Sequence, residues 1–378
     1  MSRDEGLPAV DDPPPPAATD ELLGHTAVER QMLEASMSGR VPHAWLLVGP
    51  WGVGKATLAF RFARFLLSGA ADGDQSETLF GAPPAPDSLH VAADSQTARL
   101  VASQAHPDLL VVERQVHKDD LDKPAAQQRL SRDLSVDQIR RLGPFLSLTP
   151  ALSAWRVVIV DGADGMNRSA ANAVLKLLEE PPARSVILMT CESPGRLLPT
   201  IRSRCRVVQL DCLPEAAVTS WLSRHQPSLG EGDRLALSRL SEGSPGRAAR
   251  LAAAGGMSLF RELISLMEAV PQIDMAAVTR LATRLGPAQA EASYRLFAEL
   301  LRWWLARLIR AIGRGALPQE VTAGEAAVLS RLAAGASLER WMEVWDKSGL
   351  LLDRADRANL DRGLALIEVF THVRGAFR

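Results

Sequence analysis

A chain of 378 residues with 47% apolar content has the material for two or three domains with packed cores, which excludes a wholly disordered protein. A formal net charge of −1 excludes a global basic field, so any contact with nucleic acid has to be local or made through partners. The three cysteines, Cys191, Cys205 and Cys212, form no CxxC pair, which argues against a zinc cluster or a disulfide framework; with no apolar signal core and no run of membrane-spanning length, the expected setting is a reducing cytoplasm.

The first residues are rich in Pro, Asp and Ala, with four consecutive prolines at positions 13–16, and residues 1–19 read as a disordered tail. A helix is expected after Gly24-His25, running through Val28, Met32 and Met37. Ala44-Trp45-Leu46-Leu47-Val48 has the character of a buried strand, and it leads into Gly49-Pro50-Trp51-Gly52-Val53-Gly54-Lys55-Ala56-Thr57. That run matches the phosphate-binding loop G-x-x-x-x-G-K-[ST] at every place but the last, where Ala56 stands. Leu58, Phe62, Phe65 and Leu66 follow at helical spacing. A strand, a Gly-rich turn and a helix N-terminus make an anion site, to which Lys55 adds a point charge. The hydroxyl missing at Ala56 is the group that holds Mg²⁺ in such loops. Thr57 is a poor substitute, because one step along a helix turns a side chain by about 100 degrees.

Residues 69–104 are small, polar and proline-dotted, and read as an insertion or long loop. Leu109-Leu110-Val111-Val112 predicts a second strand. Residues 134–148 predict one amphipathic helix, with Ile139, Leu142, Phe145 and Leu146 on its apolar face. Val157-Val158-Ile159-Val160 predicts a third strand, residues 170–180 a helix stopped by Pro181-Pro182, and residues 186–189 and 207–210 two more strands. Strands alternating with helices imply an α/β core with a parallel, doubly wound sheet and ligands at the strands' C-terminal edge. Beyond Pro214 the pattern is all helical. Short helices over 216–225, 235–241 and 247–254 suit a lid, with Gly255-Gly256 a hinge candidate, and longer helices follow from Leu259. The expected division is a core over 20–212, a helical lid over 213–256 and an all-α C-terminal domain over 257–378. Phe297, Leu300, Leu301, Trp304, Leu305, Leu308 and Ile312 form one apolar stripe; Trp303 lies off it and is available to another subunit.

An apolar strand ending in Asp161 is the Walker-B arrangement, whose carboxylate reaches Mg²⁺ directly or through water. Active ATPases of this type place Glu next, whereas here the next residue is Gly162. Ala56 and Gly162 thus fall on the two groups most directly tied to cleavage. Restoring both, as Ala56→Ser with Gly162→Glu, is expected not to hinder folding. Thr190, at the end of the fourth strand, is placed either to sense a γ-phosphate or simply to satisfy a strand end. Arg247, opening a lid helix in Gly243-Ser244-Pro245-Gly246-Arg247, either reaches back to a phosphate or only starts its helix. Arg204, in Thr200-Ile201-Arg202-Ser203-Arg204-Cys205, either projects toward a neighbour's γ-phosphate or forms an ordinary surface ion pair. His106, beside Pro107, suits a turn better than a ligand role. The nucleotide-binding candidates are therefore Gly49, Gly52, Gly54, Lys55, Thr57, Asp161, Thr190 and Arg247, for ATP or ADP without efficient Mg²⁺-dependent hydrolysis; no metal site is indicated.

Several stretches together resemble a known family. Residues 39–47, the phosphate-binding loop, His106-Pro107-Asp108, residues 135–140, Asn172-Ala173-Val174-Leu175-Lys176-Leu177-Leu178-Glu179-Glu180-Pro181-Pro182, residues 198–205 and residues 243–247 are similar to the delta-prime clamp-loader AAA+ family of bacterial DNA polymerase III. The resemblance covers residues 20–255; beyond that, the chain matches only in being helical. It implies an AAA+ core with a helical lid and a helical collar, in a hetero-pentamer with motor subunits of gamma/tau type and a delta subunit. That assembly opens a sliding clamp and sets it on primed DNA during replication, as part of the DNA-directed DNA polymerase complex. The motors hydrolyse ATP, while delta-prime is mainly a stator that is not catalytic alone. The resemblance also implies that Arg204 is the arginine finger offered in trans. Two departures matter. Many relatives carry a four-cysteine zinc module where residues 69–104 hold no cysteine, so no zinc is expected, and Lys55 is kept where some delta-prime chains have lost it. The alternative reading is an active motor subunit of gamma/tau type; a small-molecule nucleotide kinase lacks an acceptor site here.

Overall fold

The computed structural model describes residues 14–38, 40–72, 86–116, 131, 133–357 and 360–377. The chain divides into two units, one of residues 14–221 with Glu242–Arg247, the other Leu222–Ser241 with Ala248–Arg378.

The first unit is built on five parallel strands, β1 (Ala44–Val48), β2 (Leu109–Val112), β3 (Arg156–Val160), β4 (Ser185–Cys191) and β5 (Arg206–Gln209), in the order β2-β3-β4-β1-β5. In β1, β3 and β4 every residue is buried, because both faces of the sheet are covered and no position is left for alternation. Trp45 and Leu47 of β1 point to one face, where α1 (Thr26–Met37) and α2 (Lys55–Leu67) supply Met32, Phe62 and Phe65. Ala44, Leu46 and Val48 point to the other face and meet Ile139, Val174 and Leu178. The sheet is therefore the middle of three layers, with the loops that follow its strands gathered at its C-terminal edge.

Three sequence expectations change in this unit. The tail expected over 1–19 is described from residue 14, and there Ala17 is buried against the core while Arg64 donates to the Thr19 carbonyl at 2.6 Å. Residues 69–104 are not all loop: α3 (Gln96–Ala102) lies within them, capped by Ser95 accepting from the Ala98 N–H, with Leu89 and Val101 in the core; residues 73–85 lie outside the described residues. The helix expected over 134–148 is two helices, α4 (Val136–Arg140) and α5 (Leu142–Ser147). Pro144 accounts for the break, since its ring clashes with the carbonyl four residues earlier and it has no N–H to donate. Ser135 and Gln138 close a reciprocal capping box at the start of α4.

Asp108 is wholly buried and organises the loop before β3. Its carboxylate accepts from the N–H groups of Ala151, Leu152 and Ser153 at 2.7–3.0 Å and lies 3.5 Å from the Arg156 guanidinium, which also donates to the carbonyls of Leu148 and Thr149. His106 completes the turn, its Nδ1 accepting from the Asp108 N–H.

The first unit continues through α6 (Arg168–Glu179) and α7 (Pro199–Arg202). All-helical chain follows: α8 (Glu215–His225), α9 (Glu231–Leu240), α10 (Pro245–Ala253), α11 (Gly256–Glu268), α12 (Met275–Leu285), α13 (Glu291–Arg314), α14 (Glu325–Gly335), α15 (Leu338–Arg357) and α16 (Arg362–Gly375). The break at Gly255-Gly256 is a left-handed Gly255 that starts α11. The stripe on α13 is buried in the second unit, but Trp303, expected off it and available to another subunit, is buried too. Its ring packs edge-to-face with Phe260 of α11, centroids 6.2 Å apart, and lies beneath the Arg307 guanidinium. A helix flanked on two sides needs a wider apolar face than one stripe. Beside it Glu325 is fully buried, accepting from Trp304 Nε1 and the Val321 N–H with Arg307 3.5 Å away; burial pushes its carboxyl above the usual range, against those partners.

Candidate functional site

β1 delivers Gly49, the loop turns back through Gly52 and Gly54, both at positive φ (74° and 115°), and α2 begins at Lys55. Only glycine takes those backbone angles without strain. At Gly52 space is closed as well, because a Cβ there would stand 2.6 Å from Ser244 Oγ and 2.9 Å from the Arg247 nitrogen. Residues 243–247 are clipped onto the crest of the loop: Ser244 Oγ donates to the Trp51 carbonyl at 2.7 Å, and the Gly246 N–H donates to the Gly52 carbonyl at 2.9 Å. Ser244 Oγ also accepts from the Arg247 N–H.

The Lys55 ammonium is nearly buried and donates to the carbonyls of Gly49 and Pro50 at 2.8 and 2.6 Å. Burial lowers its pKa, and Glu192, Asp161 and Asp164 oppose that by favouring the charge. Ala56 and Thr57 fill the first turn of α2, both half-buried.

Asp161 follows the last residue of β3 and Thr190 is the penultimate residue of β4, so the parallel register sets them side by side. The Thr190 hydroxyl donates to Asp161 Oδ1 and accepts from the Gly162 N–H at 2.8 Å. It is thus satisfied within the chain. Gly162 sits at φ 77°, ψ 49°, and a Cβ added there would meet nothing within 4 Å, so space is open but the backbone is left-handed. Replacement by Glu therefore carries strain of about 1–2 kcal/mol, and the expectation that Gly162→Glu is free of folding cost is corrected.

Carboxylates not apparent from the sequence crowd the same edge. Glu113 follows β2 as Asp161 follows β3, and the pairing of Val112 with Val160 makes the two neighbours. Loss of hydration raises the Glu113 carboxyl, and Asp161 raises it further. Glu192, just past β4, is an exposed residue whose carboxyl nonetheless faces the crowded edge: lost hydration pushes it up, and Lys55 pulls it down. Asp164 accepts from the N–H groups of Glu192 and Ser193. The available signal was position, one residue past the end of a buried parallel strand. His25 Nε2 lies 3.1 Å from the Val53 carbonyl, and Leu22 borders Gly54, so the segment before α1 forms a further wall.

The structure thus gathers Gly49, Gly52, Gly54, Lys55, Asp161 and Thr190 at one edge of the sheet, with Arg247 at the turn clipped to it. Arg247 pairs with Glu242 at 3.2 Å. Arg204 lies outside this cluster, beyond the end of α7, where it donates to the Thr200 carbonyl at 3.0 Å and pairs with Glu179 at 2.9 Å. Among the described residues no cluster of three or more His, Cys, Asp or Glu forms a metal-holding group, and no helix is long and apolar enough to cross a membrane.

A family profile described as DNA polymerase III, delta subunit, matches residues 24–214. The chain is 37% identical to DNA polymerase III subunit delta' of Pseudomonas aeruginosa over 226 residues, 59% of this chain and 60% of that protein. It is 31% identical to the Escherichia coli protein of the same name over 221 residues, 58% of each. The match thus spans about 60% of those relatives' length. Among solved structures, a DNA polymerase III gamma-subunit-related protein of Thermotoga maritima is 20% identical with a TM-score of 0.40, covering 95% of this chain and 100% of that one.

Proposed function

The chain belongs to the DNA polymerase III delta-subunit family whose profile its residues 24–214 match, and on that premise we propose that it is a clamp-loader subunit of delta-prime type. In this reading it works in the cytoplasm within a hetero-pentamer of gamma/tau-type motors and a delta subunit, and helps load a sliding clamp on primed DNA. It acts as a stator: it binds ATP or ADP at the P-loop or stands empty there, hydrolyses poorly, and presents Arg204 to the ATP held by a neighbouring motor.

The observation that carries this reading is the separation of Arg204 from its own phosphate loop. Within the chain the arginine pairs with Glu179 at the far end of α6, not with the cluster around Lys55, Asp161 and Thr190. A transition-state arginine so placed is useful only to another subunit's nucleotide. The site at home supports the other half. Lys55 and Asp161 are kept, Ala56 removes the Mg²⁺-binding hydroxyl, and a left-handed Gly162 replaces the carboxylate that would polarise water. The helices over residues 257–378 are the proposed collar, with Trp304, Leu305 and Leu308 buried rather than offered outward.

An active gamma/tau-type motor is the second reading, and the retained Lys55 and Asp161 are what favour it. Assembly distinguishes neither reading from the other, but it tests membership. The purified chain is expected to co-elute with motor and delta subunits in one complex on size exclusion. A chain that stays monomeric when mixed with them removes the clamp-loader assignment.

A further inference from the structure

We propose that Glu179 is a positioning residue for Arg204, fixing the direction in which the guanidinium is presented; the inference rests on the finger role assigned to Arg204 above. Glu179 is the last residue of α6, and the helix stops there because Pro181-Pro182 cannot continue it. Arg204 lies two residues beyond α7, its N–H bonded to the Ile201 carbonyl. Both supports are anchored in one core, since Leu178 of α6 and Ile201 of α7 are buried in the same cluster. The 2.9 Å contact between Arg204 Nη2 and Glu179 Oε1 therefore joins two buttressed helix ends rather than two loose surface chains.

The geometry leaves the guanidinium usable. Nη1 donates one hydrogen to the Thr200 carbonyl, and Nη2 stands 2.9 Å from Glu179 Oε1 as an ion pair. A guanidinium has five N–H donors, so Nε–H and the second hydrogen on each terminal nitrogen stay available for phosphate oxygens. The side chains are 36% and 51% exposed, so the pair is reachable from outside the chain. That exposure also limits its strength. Ion pairs of this kind hold weakly, and holding an arginine with many rotamers in one of them is an effect on orientation, worth roughly a two- to fivefold change in rate. A carboxylate that instead withheld the arginine would act in the opposite direction, so the sign of the effect separates positioning from restraint.

The test uses the assembled loader, with this chain as wild type, Glu179→Ala, Glu179→Gln, Arg204→Ala and the Glu179→Ala/Arg204→Ala double variant, and reads steady-state ATP turnover. Glu179→Ala is expected to lower kcat about two- to fivefold with KM for ATP and assembly unchanged. Glu179→Gln keeps the length and an acceptor oxygen, and is expected to recover most of the rate. In the Arg204→Ala background, Glu179→Ala is expected to add nothing, because it acts only through that arginine. If Arg204→Ala is slow but Glu179→Ala runs at the wild-type rate, runs faster, or adds its effect in the double variant, the positioning role is overturned and the finger role stands. If both Glu179 variants fail to assemble, the residue is structural and the proposal is likewise overturned. Full turnover by Arg204→Ala removes the finger itself, and the positioning role with it.

Discussion

Arg204→Ala is expected to lower ATP turnover at the neighbouring site on the order of a thousandfold or more, while the subunit folds and joins the complex as before. The size follows from the chemistry. As a γ-phosphoryl group leaves, charge spreads over its oxygens, and a guanidinium brought to that place stabilises the transition state more than the ground state. The small structural effect follows from the position. Arg204 is an exposed residue whose visible contacts are one carbonyl and one half-exposed carboxylate, so its loss leaves no buried group unpaired. The effect is best read in an assembly whose other motor sites are disabled by P-loop lysine substitution, so that only the site facing this chain turns over. A rate equal to wild type there takes Arg204 out of the mechanism.

The largest stability effect is expected at Asp108. Asp108→Ala removes the acceptor for the N–H groups of Ala151, Leu152 and Ser153 and the partner of a nearly buried Arg156. Breaking a buried pair in this way costs about 3–5 kcal/mol, because the remaining charge and donors stay buried without their acceptor. Burial alone would raise the Asp108 carboxyl, but the three backbone N–H groups and Arg156 outweigh it and hold the pKa below the usual value. For a carboxyl depressed by folding, the stabilisation is fully present above the unfolded pKa of about 4 and is lost as pH falls through the lower folded value. Urea denaturation at pH 7 is thus expected to separate wild type from Asp108→Ala widely, and the gap is expected to narrow on acidification below about pH 4. A gap that does not depend on pH would mean that the carboxylate's charge contributes nothing. One that is absent at pH 7 would mean that the loop before β3 holds without it.

β1 to β4 were legible because parallel strands in the core of a sheet read as unbroken apolar runs, and each falls where such a run does, whereas β5 is an edge strand with only Val208 buried and polar residues at both ends. The phosphate loop was legible because its chemistry is local: glycines at fixed spacing and one lysine. Elements decided by tertiary context were not. The α4–α5 break needed weight on Pro144 against an apolar period that ran through it. Helix α3 is seven residues in a polar region, too short for periodicity to show. Trp303 looked unpartnered because a single stripe stood for the whole buried face, whereas α11 covers a second side. In the site, Asp161 was readable from its own strand. Glu113 needed the knowledge that β2 lies beside β3 with Val112 opposite Val160, and Glu179 needed α6 and α7 to share a core. Gly162 was visible as a missing carboxylate, but its left-handed backbone, which makes the carboxylate costly to restore, was not.

In the proposed reading hydrolysis happens on a neighbouring motor and not at this chain's own phosphate loop, and one measurement tests that most directly: ATP turnover by the purified chain alone, with Mg²⁺, before and after it is assembled with motor subunits. A stator with Ala56 and Gly162 in its own site is expected to show no turnover above background when alone, and its presence is expected to raise turnover by the motors. Brisk Mg²⁺-dependent turnover by the lone chain, abolished by Lys55→Ala, would contradict the account at its centre.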